Sequence, residues 1–106
     1  MKIQINTNSS IKGDQRLEEI AEGIVTNSLE RFREDITRVE VHLRDVNRQK
    51  GGDDDKKCTM EARIEGQKPT AVTHNAGSVE EALSGAADKL QRALSSTLGK
   101  LKDHRR

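Results

Sequence analysis

Between Val39 and Ile64 the chain alternates apolar and polar residues twice, on either side of a segment rich in Gly and Asp. Val39, Val41 and Leu43 take one parity, and Glu40, His42 and Arg44 the other. After the segment, Cys58, Met60, Ala62 and Ile64 alternate with Thr59, Glu61 and Arg63. A period of two is the signature of a strand with one face buried and one face wet. Two such runs joined through Gly51-Gly52-Asp53-Asp54-Asp55-Lys56 predict an antiparallel hairpin with a long tip. The rest of the chain must cover the hairpin's apolar face.

The flanking segments carry the patterns needed for that. Lys2 to Asn6 reads as a first strand with Ile3 and Ile5 inward, followed by a polar loop ending at Gly13. Asp14 to Arg33 reads as a helix. Leu17, Ile20, Ala21, Ile24, Val25, Leu29 and Phe32 recur three or four apart, Asp14 suits the N-terminus, and Arg31 and Arg33 suit the C-terminal end. The hairpin strands span about Thr37 to Asp45 and Lys57 to Glu65. Gly66-Gln67-Lys68-Pro69 is a turn, and Thr70 to Asn75 an edge strand in which either Ala71 and Thr73 or Val72 and His74 face inward.

A second helix is predicted from Ser78 to about Leu101. Ser78 and Glu81 form a capping box that satisfies two backbone N–H groups. The stripe runs Val79, Ala82, Leu83, Ala86, Ala87, Leu90, Ala93, Leu94, Thr97, Leu101. Gly85 and the alanines allow close approach to a sheet. Residues 102–106 are expected to be a frayed basic tail.

The order β-α-β-β-β-α implies a parallel first pair with a right-handed crossover, then an antiparallel meander. Each strand alternates, so one sheet face is apolar and both helices lie on it. The predicted fold class is α+β, a two-layer sandwich with a four-stranded mixed sheet, formed by one domain over residues 1–101. A chain of 106 residues supports one thin core and no large pocket.

Function classes narrow by elimination. There is no Walker loop, nucleophile elbow or zinc spacing, so no enzyme and no cofactor is expected. His42, His74 and His104 are scattered. The lone Cys58 falls on the inward parity and reads as a small buried apolar residue; without a second cysteine no intrachain disulfide exists, which favours a cytoplasmic location. Asp53-Asp54-Asp55 lacks the alternate ligand spacing of a calcium loop, and Gly51-Gly52 alone is a weak anion-binding signal. No apolar run approaches the roughly 18 residues of a membrane span.

Charge distribution carries more than the net charge of +1. From residue 89 onward Lys89, Arg92, Lys100, Lys102, Arg105 and Arg106 face a single acid, Asp103. Lys89, Arg92, Ser96 and Lys100 share one flank of the second helix, and Arg16, Asn27 and Arg31 the equivalent flank of the first. Such a flank is either a solvated, salt-bridged face or a phosphate contact. Phe32 is the only aromatic and lies on a core stripe. Base stacking on exposed rings is thereby excluded, and any RNA would be gripped by its backbone and shape.

Several stretches resemble one family. Val39-Glu-Val-His-Leu-Arg-Asp-Val-Asn, Lys50-Gly-Gly, Asp55-Lys-Lys-Cys-Thr-Met-Glu-Ala-Arg and Ser78-Val-Glu-Glu-Ala-Leu-Ser-Gly-Ala-Ala-Asp-Lys-Leu look like the ribosome hibernation-promoting factors and ribosome-associated translation inhibitors. The resemblance covers nearly the whole chain. It implies a fold similar to double-stranded RNA-binding domains. It also implies a non-enzymatic bacterial factor that binds the small ribosomal subunit near the decoding centre and blocks translation in resting or stressed cells. The implied partners are the small subunit and its ribosomal RNA, with at most a weak homodimer, no membrane and no small-molecule substrate.

By match to the Asp-Lys-Leu segment, Lys89 and Arg92 carry over as RNA-binding residues. Lys100 and Lys102 follow at the Lys-rich helix end, and Lys56 and Lys57 at the hairpin base; Arg16 and Arg31 complete the expected set. Members often have a more basic first helix, where Glu18, Glu19, Glu22 and Glu30 stand here. The long-form dimerisation domain has no counterpart, so the likeness is to a short form. The rival expectation is a protein-interaction module of the same fold. It would use the acidic first helix or the mixed-charge sheet face of Glu40, His42, Arg44, Glu61 and Arg63.

Overall fold

The computed structural model describes residues 1–7, 14–45 and 56–104, with side chains as far as Leu98. The elements are β1 (Lys2–Thr7), α1 (Gln15–Leu29), a 3-10 turn (Glu30–Phe32), β2 (Ile36–Asp45), β3 (Lys56–Ile64), β4 (Thr70–Ala76) and α2 (Val79–His104). One four-stranded sheet has the order β1-β2-β3-β4. β1 is parallel to β2, and β2, β3 and β4 form an antiparallel meander. The fold is the α+β sandwich that the alternation predicts. The hairpin tip, with its Gly-Gly and triple Asp, lies outside the described residues, as does the polar loop at 8–13.

Alternation translates directly into burial. Val39, Val41, Leu43, Cys58, Met60 and Ala62 are fully buried, and the register sets Val41 against Met60 and Leu43 against Cys58. From the helical layer, Ala21, Val25, Leu29 and Phe32 meet Leu83, Ala86, Leu90, Leu94 and Leu98 in the same core cluster. Each large aliphatic side chain taken from water contributes roughly 1.5–3 kcal/mol. No polar or charged residue is buried among those described. β1 is an edge strand, so its Ile3 and Ile5 are only partly buried.

On β4, Val72, His74 and Ala76 take the helix side, while Ala71, Thr73 and Asn75 are exposed. This resolves an alternation too weakly apolar to decide itself.

Helix boundaries show where local signals stop. Asp14 caps α1, its Oδ1 accepting from Leu17 N at 2.9 Å. The α-helix ends at Leu29 rather than Arg33. The chain then tightens, with Arg33 N donating to Glu30 O at 3.2 Å and Asp35 N to Phe32 O at 2.9 Å. This turn keeps Phe32 in the core and delivers the chain to β2 within four residues.

At α2, Glu81 N donates to Ser78 Oγ at 3.2 Å, but the Glu81 carboxylate accepts from the Ser78 hydroxyl at 3.3 Å. The serine side chain thus satisfies one backbone donor; the reciprocal bond expected of a capping box goes to the hydroxyl instead. α2 continues to His104, three residues past the expected boundary, and Leu98 joins the core although the sequence stripe passed over it. Gly66, with φ of 78°, makes the left-handed turn between β3 and β4, closed by Gln67 N donating to Ile64 O.

Candidate nucleic-acid interface

Topology decides which basic residues share an end of the molecule. Both helices start at the sheet end that carries the hairpin tip and run back toward the opposite end, because each follows a strand that points to the tip. Arg16, Lys56 and Lys57 therefore belong to the tip end. Lys89 and Arg92 lie midway along α2. Arg31 lies at the far end, as does the backbone of Lys100 and Lys102, whose side chains are outside those described.

Lys89 and Arg92 are exposed on one flank of α2. Lys89 sits against the edge strand, its Nζ donating to Thr73 O at 2.9 Å. An ammonium has three donors, so one is committed to the β4 backbone and the others face solvent. Arg92 forms an exposed pair with Asp88 at 3.1 Å, one helical turn back. Such pairs contribute about 0.2–1 kcal/mol and are readily exchanged for another anion.

The remaining expected residues disperse. Arg16 is exposed in the first turn of α1. Arg31 lies beyond the end of α1, in the 3-10 turn, with its guanidinium 5.1 Å from the centre of the Phe32 ring. The flank expected from Arg16 through Asn27 to Arg31 is therefore not one continuous α-helical face. Lys56 and Lys57 are adjacent in β3 and so point to opposite faces. Lys56 is on the helix side, 3.4 Å from Asp45, while Lys57 is on the wet sheet surface. The six whose side chains are described thus do not form one patch.

The wet sheet face is more organised than its composition suggests. Glu40 is its centre, with only 16% of its side chain exposed. Its carboxylate lies 3.5 Å from Arg38 Nε, 3.4 Å from an Arg63 terminal nitrogen and 3.6 Å from His42 Nε2. Arg63 Nε also donates to Glu61 at 3.2 Å, Arg38 donates to the Gln4 side chain, and the hydroxyls of Thr59 and Thr73 are 3.2 Å apart. Most of the mixed-charge patch expected to offer a protein-binding surface is thus satisfied internally. Spacing along single strands sets Arg38 and His42 beside Glu40, and Arg63 beside Glu61, but the Arg63–Glu40 pair that ties the two strands together depends on their register.

Reactive chemistry finds little support here. Burial pushes the Cys58 thiol up to about 12, far from a nucleophilic thiolate at neutral pH. Among the described residues no cluster of three or more His, Cys, Asp or Glu could hold a metal ion. No helix among them is long and apolar enough to cross a membrane.

Residues 3–102 match the family described as sigma 54 modulation protein / S30EA ribosomal protein. The chain belongs to the S30EA family. Among solved structures, the S30EA chain is similar to the N-terminal domain of Protein Y from Thermus thermophilus. The TM-score is 0.72 at 13% identity, covering 92% of this chain and 99% of that one. It is similar to a ribosomal subunit interface protein from Coxiella burnetii to the same degree, with a TM-score of 0.72 at 18% identity, covering 93% of this chain and 99% of the other. At such identities the likeness is one of fold. No curated protein matches the sequence significantly. Membership makes this S30EA chain one of a ribosome-associated family.

Proposed function

We propose that the chain is a ribosome hibernation factor acting in the cytoplasm. It binds the small ribosomal subunit near the decoding centre and blocks translation by occupying space, with no covalent step. The observation that carries this reading is the S30EA family match over residues 3–102. The two structural neighbours, Protein Y and a ribosomal subunit interface protein, agree with it.

The surface chemistry fits the role. Lys89 and Arg92 present cations on an exposed helix flank, and Arg16, Arg31 and Lys57 offer further charge. Phe32, the only aromatic, is buried and unavailable for stacking. Recognition would therefore rest on phosphates and on the shape of folded RNA, with Lys100 and Lys102 extending the α2 contact.

Co-sedimentation of the protein with bacterial small subunits across a salt series tests this. Stoichiometric pelleting that falls steeply with salt is expected, with a log–log slope of roughly −0.7 to −0.9 per phosphate neutralised. Failure to pellet at low salt would refute it.

A further inference from the structure

Cross-strand register places Arg44 of β2 directly opposite Lys57 of β3, on the wet face of the sheet at the hairpin end. Lys57 in turn faces Asn75 of β4. Like charges directly opposite on an antiparallel pair repel, and natural sheets usually answer them with a carboxylate. Elsewhere in these two strands that answer is present. Arg38 and Arg63 share Glu40, Arg63 also meets Glu61, and Lys56 meets Asp45 on the other face. Arg44 and Lys57 are the exceptions, since neither makes an ion pair or side-chain hydrogen bond among the described residues. Glu40 lies four residues from Arg44 along β2, about 13 Å at strand spacing, and its carboxylate is already occupied.

We infer that Arg44 and Lys57 together hold one backbone phosphate of RNA, giving the protein a phosphate contact on the opposite layer from α2. The inference rests on the ribosomal-RNA reading above. Directly opposed residues have Cβ atoms about 4.5–5.5 Å apart, so a guanidinium fork and an ammonium can close on one phosphate group. A shallow cleft of about 200 Å³ opens beside Arg44, lined also by Asn6, Thr7, His42 and Leu43. Thr59, Thr73 and Asn75 add polar groups on the same face.

The surroundings select phosphate over a protein partner. The described residues of this face are polar or charged apart from Ala71, so it lacks the apolar centre of a protein interface. It also lacks a Phe, Tyr or Trp for base stacking. A strand of RNA lying along β2 would run into Glu40. The backbone must therefore cross the strands along the row Arg44, Lys57, Asn75.

The test is Arg44→Glu, which sets a carboxylate opposite Lys57 and removes the repulsion. Its melting temperature should match or exceed that of the parent, so loss of binding cannot be loss of fold. Small-subunit affinity should fall tenfold or more at fixed salt, and the magnitude of the log–log salt slope should drop by about 1. Lys57→Glu, the reciprocal change, should behave alike.

If the parent protein pellets with subunits and both variants do so with unchanged affinity and slope, this inference alone is overturned. If the parent fails to pellet, the ribosomal reading falls and this inference with it. Loss of binding to intact subunits, with no binding of the parent to deproteinised small-subunit RNA, would assign the pair to an acidic ribosomal protein and overturn the phosphate.

Discussion

The imidazole of His74 occupies the space where a Cβ on Gly85 would have to sit. β4 and α2 meet through this absence of a side chain. The register sets His74 opposite the buried Cys58, and Gly85 leaves room for the ring on that side. An alanine here would gain about 1 kcal/mol of helix propensity, but overpacking costs about 1–3 kcal/mol. Gly85→Ala should destabilise by about 1 kcal/mol in urea unfolding. In the His74→Ala background the same change should be neutral or stabilising. A double-mutant cycle without coupling would show that the ring moves away freely.

The structural bond of Lys89 and its proposed RNA contact separate by experiment. Its bond to Thr73 O ties α2 to the β4 edge. Lys89→Ala should cost about 0.5–1 kcal/mol because the bond is exposed. Arg92→Ala should cost less than about 0.5 kcal/mol, as its pair with Asp88 is solvated. Lys89→Glu with Arg92→Glu should abolish small-subunit pelleting while circular dichroism still shows a folded protein. Full pelleting of the folded double variant would remove this flank from the RNA contact.

Cys58 predicts a pH signature. Its folded-state thiol is raised from 9.0 to about 12 by desolvation. Below pH 9 both states carry the protonated thiol, and this contribution to stability is fully present. As pH rises from 9 toward 12 the unfolded chain ionises and the folded one does not, so stability falls by at most about 1.4 kcal/mol per pH unit. Cys58→Ala should flatten that alkaline slope. At pH 8 the native thiol should resist a thiol reagent that labels it at once in denaturant.

Glu40 holds the wet face of the sheet together, which ranks two otherwise similar carboxylates. It touches Arg38, Arg63 and His42, whereas Glu61 touches Arg63 alone among the described residues. Both arginines are more than a third exposed, so the screened value is modest. Glu40→Gln should lower stability by about 1 kcal/mol and Glu61→Gln by less than half of that. Equal losses in thermal unfolding would contradict the hub arrangement.

What could be read from the chain alone was set by periodicity within single elements. The alternation from Val39 to Leu43 and from Cys58 to Ile64 determined which side chains are buried. The α2 stripe and the Asp14 cap determined where the helices lie. Family membership was also legible there, in the hairpin and in Ala86-Ala87-Asp88-Lys89-Leu90.

Periodicity states how a residue points relative to its own element, and says nothing of what lies across the gap. The helix-side placing of His74 depended on the β3–β4 register and is accommodated by the space left at Gly85. The Arg63–Glu40 pair and the meeting of Arg44 with Lys57 depended on a register that a ten-residue connection leaves open. The expected RNA-binding residues looked like one set because they share a charge. Those whose side chains are described do not form one patch, because which end and layer of the molecule each element occupies is settled by packing between elements distant in sequence.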